Sequence, residues 1–432
     1  MLQDEAPKSF DGDKDIFPRR LTLLLILVSL ITINPRINGW NEASRMALTQ
    51  SLVEQHAFII DESTFSEGGD KVFIDGHFYS DKPPLASLLA AIVYAPLYAL
   101  GFKLDFGWNL SYYLIILLTV KLLWIASVLA FRKALQLRDI PPKDILLLVM
   151  MFAFASLSFT WSATFNNHSL AGSSLMIGLM FYLENRRDES YRAVFWSGLM
   201  IGLAVSLDIP TMVFLIGFAW LTARSIGSKK MLSTYALGAL IPLGIHTSIN
   251  YAIGGTLLPL QIVPEFFDFE GSTWANNTAL SGVSVNAIGF SIKYGFLSLF
   301  GPRGFVWFNP MLLLLVPLMI RSIRINNPFK MEAFVIISGS LVIMLYYFLF
   351  SSNYGGWSYS IRWFVSFLPL LGFFLFDLPS TFSLQSRKKL VLSLSIISII
   401  VASVGLINPW SNPNLHVVPF IANLKQLMGF FL

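Results

Sequence analysis

Glu42 and Asp81 are the two carboxylates whose surroundings in the sequence could do chemistry. Glu42 lies in Trp40-Asn41-Glu42-Ala43-Ser44-Arg45-Met46-Ala47, and Asp81 in Tyr79-Ser80-Asp81-Lys82-Pro83-Pro84. They stand near opposite ends of one polar stretch, 36–82, and each end borders an apolar run, so both are expected at a membrane surface. Apolar walls lower the local dielectric and strengthen the action of a fixed charge on a reacting hydroxyl or phosphate. A carboxylate within hydrogen-bond reach of a hydroxyl can take its proton, and Lys82 offers a phosphate a cation. Two carboxylates together are also candidate ligands for a hard divalent ion. The 5 histidines show no pair at zinc-ligand spacing. The chain has 0 cysteines, which excludes disulfides, thiol nucleophiles and Cys-ligated metals.

The elements that would carry these residues are membrane helices. Of the 432 residues, 55% are hydrophobic and 13% charged, with a mean hydropathy of +0.65. Soluble domains carry about 25% charged residues. Apolar runs long enough to be candidate spans occur at 21–35, 108–131, 145–163, 168–183, 193–207, 210–223, 232–252, 303–320, 332–350, 363–378 and 390–407. Arg19 and Arg20 precede the first run in the manner of a signal peptide, but no small-residue cleavage site follows, so it reads as an uncleaved helix.

Six short segments hold 20 of the 30 Lys and Arg residues: 1–20, 132–143, 186–192, 224–230, 321–330 and 387–389. Basic loops face the cytoplasm. This predicts a cytoplasmic N-terminus and three outer segments, 36–82, 253–301 and 351–362, with the tail 408–432 also outside. The parity of the basic segments then predicts an interfacial or re-entrant helix at 83–102, or else a failure of the basic rule at 132–143. Eleven spans result, or twelve if 83–102 crosses. The whole of 1–432 reads as a single all-α polytopic membrane domain, with juxtamembrane helices in the long first outer loop. The net charge of +5 sits in loops between apolar runs and is no nucleic-acid signal.

The two ends of 36–82 resemble GT-C membrane glycosyltransferases, in the branch of the lipid A aminoarabinose transferases, protein O-mannosyltransferases and RgtA/B/C/D-like enzymes. Glu42-Ala43-Ser44-Arg45-Met46-Ala47 is similar to a D-E-x-R-Y-A motif, with Glu42 at the catalytic Asp position and Ala43 replacing the second acid. A second register sets Asn41-Glu42 over the acid pair; Glu42 is the only acid in either. Asp81-Lys82-Pro83-Pro84 is similar to an E-K-P or H-P-P motif. Phe165-Asn166-Asn167-His168, Gly301-Pro302-Arg303-Gly304 with Phe308-Asn309-Pro310, and Tyr354-Gly355-Gly356 through Arg362-Trp363-Phe364 resemble later family segments in the same order.

The resemblance implies a donor sugar on a polyprenyl phosphate. It implies an acceptor hydroxyl on a glycolipid, polysaccharide or protein, and attack with inversion on the outer face. It implies Glu42 as general base and Asp81 as a second acid, with Glu42 and Asp81 also candidate ligands for a divalent metal cofactor. It implies Lys82, Arg45, His168, Arg303, Tyr359 and Arg362 as groups that bind substrate or phosphate. A transporter or flippase of a polar or lipid-linked substrate is the alternative. Transporters often carry inverted repeats and mid-membrane breaks; this sequence has no repeat and gathers its polar residues in outer segments.

Overall fold

Leu23, Leu27 and Ile31 stand exposed along one helix, while Lys121, Ser174 and Asn185 lie buried. This arrangement, apolar outside and polar inside, suits a chain whose solvent is hydrocarbon, where backbone groups must be satisfied internally. The structure, a computed structural model, describes residues 13–224, 228–275, 285–324, 327–381, 385–410 and 417–429. In chain order the helices are α1 (Asp13–Ile31), α2 (Trp40–Glu54), α3 (Pro84–Ala99), α4 (Leu110–Leu137), α5 (Pro142–Phe154), α6 (Asn167–Asp188) and α7 (Tyr191–Leu207). They continue as α8 (Met212–Ala223), α9 (Ser228–Gly254), α10 (Ile288–Phe300), α11 (Leu312–Arg324), α12 (Lys330–Phe350), α13 (Gln385–Ile407) and α14 (Pro419–Gly429). Between α2 and α3 lies a hairpin, β1 (Lys71–Ile74) antiparallel to β2 (His77–Ser80), with Ile74 opposite His77. Its turn residues Asp75 and Gly76 both have positive φ, the mirror-image turn that matches strand twist.

Every expected span falls on a helical stretch, and the protein is an all-α multi-pass membrane protein. Among the described residues, four continuous helices are long and apolar enough to cross a membrane: Leu110–Leu137, Lys229–Gly254, Lys330–Phe350 and Lys388–Ile407. The pair Ile288–Phe308 and Leu312–Arg324 makes a fifth if counted as one span, bent by 97°. Helix α3, within 83–102, has 16 residues. At 1.5 Å per residue it is about 24 Å long, short for a full crossing.

Three expected spans are broken rather than continuous. The stretch 145–163 ends as α5 at Phe154 and restarts as a single turn, Leu157–Trp161. The stretch 303–320 contains the turn Phe305–Phe308 and then α11. The two breaks meet: Asn309 Oδ1 accepts from Leu157 N at 3.0 Å, and its Nδ2 donates to Phe305 O at 2.9 Å. One buried asparagine thus satisfies backbone groups freed on both sides, and Pro310, with no N–H, continues the break. The stretch 363–378 is a chain of short turns, Arg362–Ser366, Leu368–Leu371 and Gly372–Asp377, buried against α6. A Cβ on Gly172 would stand 2.8 Å from Val365 O and 3.0 Å from Pro369, so only glycine allows that approach. Within 253–301, expected as an outer segment throughout, residues 288–300 are helical as α10.

Parallel helices α7 and α9 touch through small residues. A Cβ on Gly198 would lie 2.0 Å from Tyr235 O, and one on Gly202 would lie 2.6 Å from Ala239 O. Gly198 and Gly202 form the small-x-x-x-small spacing that lets membrane helices approach backbone to backbone. Gly198→Val is therefore expected to destabilise the fold by about 3 kcal/mol, at the upper end for overpacking. Thermal unfolding in detergent would read the loss; an unchanged midpoint would contradict this packing. Lys121, in the π turn Leu117–Lys121 of α4, donates to Thr32 Oγ1 at 2.8 Å and to Ser162 Oγ at 2.9 Å. It thereby ties α1, α4 and the Leu157–Trp161 turn together.

Candidate functional site

Helix α2 begins after Gly39, and its first turn is fixed by Glu42. Glu42 Oε2 accepts from Asn38 N at 2.8 Å, reaching back over the helix start as an acid in the first turn can. Its Oε1 accepts from Tyr112 Oη at 2.5 Å and from Thr164 Oγ1. Trp410 Nε1 donates to Thr164 Oγ1 at 3.1 Å, closing the shell. Glu42 is fully buried. Burial pushes its carboxyl up from the ordinary value, against the donors Thr164, Tyr112, Asn38 N–H and Trp410.

One turn later α2 presents Arg45, also buried. Arg45 Nη1 donates to Asn41 O at 2.7 Å and Asn41 Oδ1 at 2.5 Å; Nη2 donates to Asn167 Oδ1 at 2.7 Å. Asn167 Nδ2 in turn donates to Leu207 O at 3.2 Å. Arg45 therefore links α2 to the start of α6 and the end of α7. The same turn meets β2: Ser44 Oγ lies 2.7 Å from Ser80 Oγ and donates to Asp81 Oδ1 at 3.2 Å. The two ends of 36–82 do come together, through Ser44 and Arg45 rather than through Glu42.

Lys82 stands between two buried carboxylates, 2.7 Å from Asp81 Oδ2 and 3.0 Å from Asp70 Oδ2. Burial raises Asp81, reinforced by Asp70, and this outweighs Lys82 and Arg45. Burial also acts to raise Asp70, but Lys82, Arg362 and Arg45 overcome it and hold Asp70 below the ordinary value. One cation thus separates two acids of opposite tendency. Trp274 Nε1 donates to Asp70 Oδ1 at 3.3 Å, and a Cβ on Gly69 would meet Trp40 at 2.7 Å and Thr273 Oγ1 at 2.8 Å. The segment before α10 therefore closes over the hairpin at this point.

Asn166 Oδ1 caps α6 by accepting from Ser169 N at 2.8 Å, which sets His168 in the first turn. His168 Nδ1 lies 2.9 Å from Asp208 Oδ2, at the end of α7. Arg362 Nε donates to Gly355 O at 2.7 Å, and its guanidinium lies 5.2 Å from the Trp410 ring. Asp70, Asp81 and Asp208 each act electrostatically on Arg45 and on Arg362, and both arginines act on His168. Arg45 Nε and Arg362 Nη1 are buried donors without a hydrogen-bond partner among the described residues.

Two expected site residues make their hydrogen bonds to backbone carbonyls. Arg303 Nη1 donates to Gly356 O at 3.1 Å and Ser358 O at 2.8 Å, which ties down the segment 351–362. Tyr359 is fully buried, donates to Val401 O at 2.8 Å and stands edge-on to Phe308. Glu42 and Asp81 have no partner in common. Among the described residues no group of three or more His, Cys, Asp and Glu is gathered as metal ligands.

No protein-family model matches the chain, and no curated protein sequence matches it. Solved structures do. ArnT from Cupriavidus metallidurans bound to undecaprenyl phosphate aligns over 96% of this chain and 78% of its own, at 14% identity and a TM-score of 0.51. The apo state of the same protein aligns over 97% and 76%, at 15% identity and a TM-score of 0.52. The Archaeoglobus fulgidus oligosaccharyltransferase aligns over 91% of this chain and 55% of its own, at 11% identity and a TM-score of 0.45, too low to bear on the fold.

This chain has the GT-C fold.

Within the GT-C fold, the cluster is built from four sequence-expected residues, Arg45, Asp81, Lys82 and His168, with Arg362 as a fifth. Asp70, Asn167, Asp208 and Trp410 were not expected there. Asp208 carried a readable signal, an acid between two apolar runs just before Pro210, but the same pattern suits a simple turn. Asp70, in Gly68-Gly69-Asp70-Lys71, carried none.

Proposed function

We propose that this protein is a glycosyltransferase that moves a sugar from a polyprenyl phosphate to a hydroxyl on a lipid, polysaccharide or protein, with inversion at the anomeric carbon. The observation that carries this reading is the buried charged cluster in a GT-C fold, in which Arg45, Lys82 and Arg362 stand among Asp70, Asp81 and Asp208, with the donors Arg45 Nε and Arg362 Nη1 unpartnered among the described residues. An unsatisfied buried donor is costly, and a phosphate oxygen is the acceptor that guanidinium geometry suits best. Lys82, Arg45 and Arg362 hold the phosphate and steady the charge it gains as the sugar leaves. Asp81, bound to Lys82 in the same cluster, orients the acceptor. Glu42, saturated by its donors, anchors α2 and so presents Arg45.

The six basic segments lie away from this cluster along the chain, and Arg138, Arg186 and Arg187 meet Asp377, Glu332 and Asp139 there. Basic ends face the cytoplasm, which supports the reading that the cluster works on the outer face and the N-terminus lies inside.

Purified protein in nanodiscs, given undecaprenyl-phosphate sugars and envelope glycolipid or protein acceptors, is expected to yield a glycosylated acceptor and free undecaprenyl phosphate. Arg362→Gln is expected to weaken undecaprenyl-phosphate binding about tenfold or more, as loss of a charge-assisted contact does. Failure of the wild-type protein to bind undecaprenyl phosphate at all would refute the proposal.

A further inference from the structure

His168 and Asp208 are each 4% exposed and are joined Nδ1 to Oδ2 at 2.9 Å. A carboxylate only accepts, so the neutral ring carries its proton on Nδ1 and its lone pair on Nε2. No group among the described residues hydrogen-bonds Nε2. Both partners are rigidly held. Asn167, beside His168, is fixed by Arg45 and by Leu207 O, the residue before Asp208. Asp208 N donates to Ala204 O at 2.8 Å, and Thr211 N and Oγ1 both donate to Asp208 O. The charges that face the ring are Asp208 from the end of α7, Arg45 from α2 and Arg362 from the turn Arg362–Ser366. The dyad thus stands beside the two arginines assigned to the phosphate, with a free acceptor atom. Glu42, by contrast, already receives three hydrogen bonds.

We propose that His168 is the proton acceptor of the transfer step and that Asp208 is its positioning residue. This rests on the function proposed above. The acceptor hydroxyl oxygen bonds to the anomeric carbon while the bond from that carbon to the phosphate oxygen breaks, its electron pair leaving with the polyprenyl phosphate. The hydroxyl proton passes to His168 Nε2. The Asp208 carboxylate stabilises the imidazolium, which returns the proton to solvent after product leaves.

The test compares pH profiles of kcat/KM for wild type, His168→Gln, Asp208→Asn and Glu42→Gln, with undecaprenyl-phosphate binding measured in parallel. For a base the rate rises with pH as the ring loses its proton. His168→Gln is expected to lower kcat about 100-fold or more and to abolish that acid limb, with donor binding kept. Asp208→Asn removes the charge that favours imidazolium, so the limb is expected to move to lower pH by about one unit. A limb that survives in His168→Gln, or that disappears only in Glu42→Gln, overturns the dyad while leaving the glycosyltransferase reading intact. A limb unmoved in Asp208→Asn overturns the positioning role. A wild-type protein that neither binds the donor nor transfers sugar overturns the function itself, and the dyad's role with it.

Discussion

Lys82→Met is expected to abolish sugar transfer, lowering kcat/KM by at least about 100-fold, the usual effect of removing a group that steadies transition-state charge. The reason lies in what surrounds the ammonium. Its Nζ is 2.7 Å from Asp81 and 3.0 Å from Asp70, and both carboxylates are buried. Methionine fills similar space without charge. The two acids then face each other with no cation between them, and one must take a proton. An incoming phosphate would meet net negative charge where it now meets Lys82. Asp81, already raised by burial and by Asp70, is the acid expected to protonate. Residual binding of undecaprenyl phosphate to the variant should therefore improve as pH falls, the reverse of a site that merely lost packing. Lys82→Arg, which keeps the charge, should retain part of the activity. Wild-type donor affinity in Lys82→Met would remove this residue from the phosphate site.

Glu42→Ala is expected to be the most damaging of the single substitutions to stability, at about 3–5 kcal/mol. It strips the acceptor from Tyr112 Oη and Thr164 Oγ1, both on fully buried residues, and from the N–H of the exposed Asn38. Each orphaned buried donor costs about 1–3 kcal/mol, and the penalties overlap. Glu42→Gln keeps one oxygen but turns an amide NH2 toward another donor, so an intermediate loss of about 1–2 kcal/mol is expected. Thermal unfolding in detergent measures both. The comparison with activity separates anchor from base: an anchor loses activity in proportion to the folded protein lost, whereas a base in Glu42→Gln would lose about 100-fold or more in transfer by protein that is still folded.

Several features of the site were legible from residue types and order. Asp81-Lys82-Pro83-Pro84 had to end a polar segment and start a helix, because proline fixes the first turn. Arg45, three residues after Glu42 at the start of a helical run, had to sit one turn along it. What residue order could not reveal is which face of α2 meets which neighbour. Glu42 and Arg45 are close in sequence, yet one is sealed among Tyr112, Thr164 and Trp410 and the other meets Asn167. Arg303 and Tyr359 matched the chemistry expected of them, but Arg303 Nη1 is committed to backbone carbonyls of the 351–362 segment and the Tyr359 hydroxyl to one of α13.

The sequence by itself determined that the chain lives in a membrane and where most of its apolar helical stretches run. Those properties follow from hydropathy and charge summed along contiguous residues, so they need no knowledge of contacts. Only the tertiary structure decided that Asp70 shares Lys82 with Asp81, that Asp208 holds His168, and that two interrupted helices close on Asn309. The last two join residues far apart in the chain and the first joins residues across a hairpin whose register is not written in the sequence; the energies of all three arise from burial and short distances that exist only once the chain has packed.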